Sequence, residues 1–179
     1  MSRIQPLDPN TVQGEAKELL EKIKAKTGRL SNIMKTMAHA PVALKAFMGM
    51  HGALADAKLS LKVREQISLA VGEDNQCHYC VAAHSAIGKH AGLTPEEIEG
   101  GRRARSADPK TNAILGFAKK LSANRGNITD QDFADAQKAG CSDEEILEVV
   151  TAVAMNLFTN YINHVADTAL DFPAAPPLS

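Results

Sequence analysis

Apolar residues recur every three or four positions along most of the chain, which is the spacing of one face of an α-helix. The sequence contains no continuous β-branched runs bounded by turns, the pattern that is typical of buried strands. We therefore predict an all-α fold. The first segment shows the apolar stripe clearly, in Ala16, Leu19, Leu20 and Ile23.

Helix-capping residues divide the chain into segments of helical length. Proline at first-turn positions and Ser, Thr or Asp at cap positions indicate where helices begin, and glycine indicates where several end. The segment from Thr94 to Glu97 has the composition of a capping box. The predicted helices begin near residues 10, 31, 41, 60, 77, 94, 108, 129 and 142, and the last and longest reaches about residue 170.

The last predicted helix is apolar on more than one face, so it should be buried on nearly all sides. In a chain of 179 residues this favours either a central helix or one that a neighbouring subunit covers, and we predict a homo-oligomer. No linker or change of composition divides the chain. We predict a single domain over residues 1–170 and a Pro-rich extended tail over 171–179, since proline cannot continue a helix.

The composition is that of an ordinary globular protein and excludes several classes of function. Hydrophobic residues make up 44% of the chain and charged residues 23%, which argues against disorder. The net charge is −1, aromatic residues are 4% and tryptophan is absent, so a nucleic-acid partner is not expected. Neither a signal peptide nor a membrane span is indicated, and a cytoplasmic location is the expectation.

Two of the three cysteines form a C-x-x-C pair with a histidine close behind. Cys77, Cys80 and His84 are spaced i, i+3 and i+7, which places them along one helix face. Cys77 falls at the predicted helix start, where free N–H groups and the dipole favour a thiolate, and His84 can accept a thiol proton. Glu65 lies on the preceding predicted helix, and its carboxylate can orient the histidine if the two helices pack antiparallel.

The complete motif, E-x11-C-x2-C-x3-H, resembles the carboxymuconolactone decarboxylase superfamily, in particular its alkylhydroperoxidase D-like branch. The segment 156–167 is also similar to members of that branch. The resemblance implies an all-α bundle that assembles as a trimer or hexamer. It further implies that Cys80 is the peroxidatic cysteine, that Cys77 resolves its sulfenic acid, and that His84 and Glu65 relay protons. It implies no bound cofactor, and electrons from a thiol or a dihydrolipoyl-bearing donor.

The two residues between the cysteines depart from the best-known member of the branch. They are His78 and Tyr79 here, where that peroxidase has serine followed by histidine. We expect Tyr79 to take the place of the missing relay histidine and to donate a hydrogen bond to a peroxide oxygen. His78 points differently by one helical step, and both residues are predicted to bind substrate.

These observations predict a thiol peroxidase or dithiol–disulfide oxidoreductase that reduces organic hydroperoxides. Three alternatives remain open. The cysteines can bind a structural zinc ion if His78, His90 or Glu65 completes the site, although no metal is the main prediction. The chain can be a muconolactone-type decarboxylase, which needs a carboxylate-binding cation and an acid–base group. It can also be a non-enzymatic redox sensor whose disulfide alters the oligomer.

Overall fold

A computed structural model describes residues 2–178, and its architecture confirms the predicted all-α class. Nine helices and no strand occur within these residues. In chain order they are α1 (Gly14–Thr27), α2 (Asn32–Met37), α3 (Pro41–Ala55), α4 (Leu61–Asp74), α5 (His78–His90), α6 (Pro95–Arg102), α7 (Pro109–Ala123), α8 (Asp130–Lys138) and α9 (Asp143–Ala166).

Most helices begin at the residues that the capping pattern predicts. Complete capping boxes start α6, α8 and α9, and proline occupies the first turn of α3, α6 and α7. Two predicted boundaries are wrong. The first helix begins at Gly14 and not near residue 10, because the N–H groups of Thr11 and Val12 form a turn with the Asp8 carbonyl. The last helix ends at Ala166 and not near 170, because Asp167 adopts a left-handed conformation with φ 50°.

The helix α4 is the centre of the fold and carries Glu65, the first residue of the predicted motif. Its residues 65–72 are all buried, and it packs against α5, α6, α7 and α9. A tight turn then folds α5 back along α4, with the Cys77 N–H donating to the Gly72 carbonyl at 2.8 Å. The predicted return of α5 towards Glu65 is therefore present.

The buried apolar residues form two main clusters on the two sides of α4 and α9. One joins α4, α7 and α9, and the other joins α1, α2 and α3 to the cysteine pair and Tyr79. The cysteines thus belong to the core and not to an exposed loop, with Cys77 1% and Cys80 3% exposed.

The helix α9 is buried on one side only, so the predicted central position belongs to α4 instead. Its opposite side exposes a stripe of large apolar side chains. The other explanation of its apolar character, cover by a neighbouring subunit, stays a prediction. The exposed residues are Leu147, Val150, Tyr161 and Val165.

The N-terminal end of the described chain is attached to the end of α9, and the C-terminal tail is attached to α6. The backbone N–H groups of Arg3 and Ile4 donate to the Ala166 carbonyl. Residues 167–178, which follow α9, form no helix or strand, and Arg102 of α6 donates a hydrogen bond to the Pro176 carbonyl at 2.7 Å. None of the described helices has the length and apolar character needed to cross a bilayer.

Candidate active site

The two cysteines are joined by a disulfide at the start of α5. Cys77 is the N-cap residue of this helix, and its sulfur accepts the Cys80 backbone N–H at 3.3 Å. Their Cα atoms are 5.3 Å apart, a separation that C-x-x-C reaches without distorting the helix. The pair can therefore open and close as a dithiol and a disulfide within one helical turn.

Two asparagines of α9 donate hydrogen bonds to the sulfurs. The Nδ2 of Asn160 lies 3.0 Å from the Cys80 Sγ. The Nδ2 of Asn163 lies 3.3 Å from the Cys80 Sγ and 3.9 Å from the Cys77 Sγ. Both asparagines are buried, so these N–H dipoles act in a medium of low dielectric and stabilise negative charge on sulfur, above all on Cys80.

Sequence reasoning gave these asparagines no role. They lie in the segment that resembles the branch, but the motif stops at His84. A usable signal was present, since Asn156, Asn160 and Asn163 follow one another at helical spacing in an otherwise apolar helix. Buried amides require partners, so such a row indicates a polar group on a neighbouring element.

The predicted histidine and glutamate form a pair. The His84 Nδ1 lies 2.8 Å from the Glu65 Oε2, and the glutamate is 8% exposed. An ionised carboxylate only accepts hydrogen bonds, so Nδ1 carries the proton and Nε2 is left to exchange a proton with a reactant. This is the arrangement of an oriented general base.

Cys80, Glu65 and His84 line one cavity of about 630 Å³, which we call the Cys80 cavity. It is open to solvent on one side, and most of its wall is apolar. The apolar side chains include Ile33, Met34, Phe47, Leu54, Ile87 and Phe172. A cavity of this size and lining fits an organic molecule larger than hydrogen peroxide.

Cationic groups also line the Cys80 cavity. Lys26 and Arg64 form no ion pair and no side-chain hydrogen bond with any of residues 2–178. His51 lies near them, and its pKa is lowered by burial and then by the charge of Lys26. The wall therefore combines apolar surface with positive charge.

Tyr79 and His78 are placed differently from one another. The ring of Tyr79 lines the Cys80 cavity, but its hydroxyl donates to the Asp171 Oδ1 at 2.6 Å and accepts the Ile33 N–H at 3.3 Å. Burial, and then the bond to Asp171, raise the pKa of Tyr79, so its hydroxyl stays protonated. His78 is exposed and lies outside the described lining of the Cys80 cavity. Substrate contacts by these two residues stay predictions.

A second cavity of about 370 Å³, which we call the Cys77 cavity, lies on the other side of Tyr79 and Asn163, which line both cavities. Of the cysteine pair, only Cys77 is among the described residues of its wall, as only Cys80 is for the first cavity. The remaining lining residues are Gln76, His78, His164, Asp167, Thr168 and Leu170.

The described side chains form no metal site. Within residues 2–178, no three His, Cys, Asp or Glu side chains come together in a way that could hold a metal ion. His90 and Glu65 line the Cys80 cavity and His78 the Cys77 cavity, so the ligands that the zinc alternative requires are divided between two sites.

The fold is shared with several solved structures. A peroxidase-related protein from Ralstonia eutropha JMP134, described as an alkylhydroperoxidase AhpD core, is 25% identical, with a TM-score of 0.84 over 95% of this chain and 92% of that chain. A peroxidase-related protein from Silicibacter sp. TM1040 is 24% identical, with a TM-score of 0.79 over 93% and 91%. The debrominase Bmp8 is 19% identical, with a TM-score of 0.79 over 94% and 91%, a likeness of fold alone.

Of the two sequence comparisons, one found a match and one did not. No curated protein sequence matches the chain. The model of the carboxymuconolactone decarboxylase family, however, matches residues 41–120, a range that contains α3, α4, α5 and all four residues of the predicted motif. The predicted resemblance to the carboxymuconolactone decarboxylase family is thereby confirmed over residues 41–120, and the fold is similar to that of alkylhydroperoxidase AhpD-like structures.

Proposed function

We propose that this protein is a thiol-dependent peroxidase that reduces organic hydroperoxides through the Cys77–Cys80 pair. One observation carries the proposal. Cys80 is the cysteine that shares a cavity with the His84–Glu65 pair, and it also receives two buried amide N–H bonds. A nucleophile, a base and donors for a developing negative charge are the parts that thiol attack on a peroxide requires.

In the first step the reduced Cys80 loses its proton to His84, and Glu65 stabilises the resulting imidazolium. The thiolate attacks one oxygen of the O–O bond, which breaks. Cys80 becomes a sulfenic acid, and the alkoxide takes a proton from His84 and leaves as an alcohol. The sulfur is oxidised by two electrons and the peroxide is reduced by the same two.

In the second step the Cys77 thiol condenses with the Cys80 sulfenic acid. The S–S bond forms, the S–O bond breaks, and water leaves. The backbone N–H of Cys80, which lies 3.3 Å from the Cys77 sulfur, supports a thiolate at the attacking atom. The product of this step is a Cys77–Cys80 disulfide, and the two cysteines lie close enough to form it. A thiol or dihydrolipoyl-type donor then restores the dithiol, and the proposal needs no bound cofactor.

A thiol count on fully reduced protein tests the proposal. One equivalent of tert-butyl hydroperoxide should rapidly remove two of the three thiols in the wild type. Cys80→Ser should not react, and Cys77→Ser should stop at a sulfenic acid that dimedone traps. Cys141→Ser is the matched control and should behave as wild type, because Cys141 is buried outside both cavities and burial raises the pKa of its thiol. Thiols that survive the peroxide would overturn the proposal.

Decarboxylation of a ring acid is the second candidate, and the position of Arg64 favours it. The Arg64 guanidinium, which has no ion pair within residues 2–178, lines the Cys80 cavity beside the acid–base pair, and such a reaction needs a carboxylate-binding cation. The thiols have no part in that chemistry. A decarboxylase activity on a muconolactone acid that persists in Cys80→Ser would select this candidate over the peroxidase.

A further inference from the structure

The two cysteines of the disulfide line different cavities. Cys80 lines the Cys80 cavity and Cys77 lines the Cys77 cavity. We propose that the Cys77 cavity is the binding site of the reducing thiol, which attacks the Cys77 sulfur and expels Cys80 as a thiolate. The inference rests on the dithiol–disulfide cycle of the proposed function and adds to it a separate site for the electron donor.

Hydrogen bonding makes Cys80 the better leaving group. Its sulfur has amide nitrogens at 3.0 and 3.3 Å, from Asn160 and Asn163. The Cys77 sulfur has the Cys80 backbone N–H at 3.3 Å and only a long contact of 3.9 Å to Asn163. The leaving sulfur of a disulfide exchange takes up negative charge, so exchange is faster when the sulfur with the stronger donors leaves.

The step balances as follows. The donor thiolate forms an S–S bond with Cys77, the Cys77–Cys80 bond breaks, and its electron pair goes to Cys80. The Cys80 thiolate can then take up a solvent proton through the Nε2 of His84. A second donor thiolate attacks the donor's sulfur in the mixed disulfide, which releases the oxidised donor and leaves Cys77 as the thiolate. Two donor thiols are oxidised to a disulfide, and the protein regains two thiols.

The wall of the Cys77 cavity suits a thiol carried on a narrow, polar molecule. His78 and His164 are exposed imidazoles that can accept the proton of an incoming thiol. Leu170 supplies an apolar contact, and the cavity volume of about 370 Å³ admits the sulfur-bearing end of a small donor. Because Tyr79 stands between the two cavities, the alcohol product need not leave the Cys80 cavity before the donor binds.

Mapping of the mixed disulfide tests the proposal directly. The oxidised wild-type protein is mixed with glutathione, quenched with N-ethylmaleimide, and fragmented by mass spectrometry between Cys77 and Cys80. We expect glutathione on Cys77 and the maleimide on Cys80. Glutathione on Cys80 would overturn the proposal.

A pair of narrowing variants tests the same point through rates, including the case in which the mixed disulfide is too short-lived to trap. Leu170→Trp fills part of the Cys77 cavity, and Ile87→Trp fills part of the Cys80 cavity. Leu170→Trp should slow reduction by glutathione about tenfold more than oxidation by tert-butyl hydroperoxide, and Ile87→Trp should show the opposite ratio. Two variants that both slow the same half-reaction would contradict separate sites.

The outcomes for this inference and for the peroxidase proposal are distinct. If peroxide leaves the thiols intact but glutathione attaches to Cys77, the peroxidase proposal fails and the donor site stands. If peroxide removes two thiols but glutathione attaches to Cys80, the donor site fails and the peroxidase stands.

Discussion

The surroundings of the two cysteines differ although only two residues separate them. On the Cys80 side, apolar side chains enclose an acid–base pair, and buried amides contact the sulfur. On the Cys77 side, the wall combines exposed polar residues of the α4–α5 turn, the start of α5 and the end of α9, among them Gln76, His78 and His164, with the buried Tyr79 and Asn163. One motif thus places Cys80 beside a largely apolar cavity and Cys77 beside a smaller cavity with several exposed polar residues.

Helix geometry explains the difference. Cys80 lies within α5, so its side chain points to the face that packs towards α4 and α9. Cys77 is the N-cap residue, with φ −86° and ψ 86°, and so has not entered the helix. Residues at i and i+3 share a face only when both are helical. Because Cys77 lies outside the helix, each cysteine of the pair lines a different cavity.

The largest expected effect comes from breaking the acid–base pair on the Cys80 side. Glu65→Gln should lower the rate of thiol oxidation by peroxide about 100-fold, because His84 loses the carboxylate that orients it and stabilises its charge. Glu73→Gln, on the same helix and paired with Arg102, is the matched control and should stay within about twofold of wild type. Stopped-flow measurement of both half-reactions checks this. An equal loss in the rate of reduction by glutathione would contradict the assignment of Glu65 to the peroxide half-reaction at Cys80.

The next largest effect is expected from the loss of an amide donor. The amide nitrogens lie closer to the Cys80 sulfur than to the Cys77 sulfur. Asn160→Leu should slow peroxide oxidation about tenfold, since a hydrogen bond to a charged sulfur is lost, and should shift the pH midpoint of Cys80 alkylation by iodoacetamide upwards. Asn156→Leu removes a neighbouring buried amide that bonds Ser68 and not sulfur, and it serves as the control. An unchanged midpoint in Asn160→Leu would show that this donor does not stabilise the thiolate.

The cysteine pair and the acid–base pair were accessible from the sequence, but the different surroundings of the two cysteines were not, because the i, i+3 spacing placed both on one helix face. The cysteines and His84 are local in sequence, so helix periodicity was enough to predict that they lie on adjacent turns, and Glu65 joins them because α5 folds back along α4. The donors Asn160 and Asn163 lie 80 and 83 residues beyond Cys80, so only tertiary packing brings them to the sulfurs. The hydroxyl of Tyr79 is bonded to Asp171, 92 residues away, which no local pattern indicates.

A smaller effect is expected from the contact between the C-terminal tail and Tyr79, a residue that lines both cavities. The Asp171 carboxylate accepts the Tyr79 hydroxyl at 2.6 Å and the Asn32 backbone N–H at 2.8 Å. Asp171→Ala should lower the free energy of unfolding by about 2 kcal/mol, measured by urea denaturation, because the Tyr79, Asn32 and Arg29 donors lose a charged acceptor. Tyr79→Phe, which loses only one of these bonds, should cost about 1 kcal/mol. A larger loss in Tyr79→Phe would show that Asp171 is not the centre of this contact.

The smallest effect is a pH dependence that arises on the Cys80 side. Burial, and then Lys26, lower the pKa of His51 from its ordinary value of 6.5, so the unfolded chain binds this proton more readily. Stability is therefore lost as the pH falls below about 6.5 and down to the lowered pKa. Urea midpoints between pH 5 and 8 should show a shallower decline for His51→Gln and, to a lesser degree, for Lys26→Gln. Parallel curves for wild type and His51→Gln would contradict the assignment of this pH dependence to His51.

The distance in sequence between the sulfurs and their donors has a consequence for biosynthesis. A nascent chain that has been translated only through α5 carries both thiols, but Asn160 is not added until 80 residues after Cys80. Translation delivers chain at roughly 5–20 residues per second, so this gap lasts several seconds. During that interval the pair has no amide donors and no closed core around it. The amide contacts to the Cys80 sulfur therefore form only once α9 has been made and has packed, which separates synthesis of the cysteine pair from completion of its surroundings.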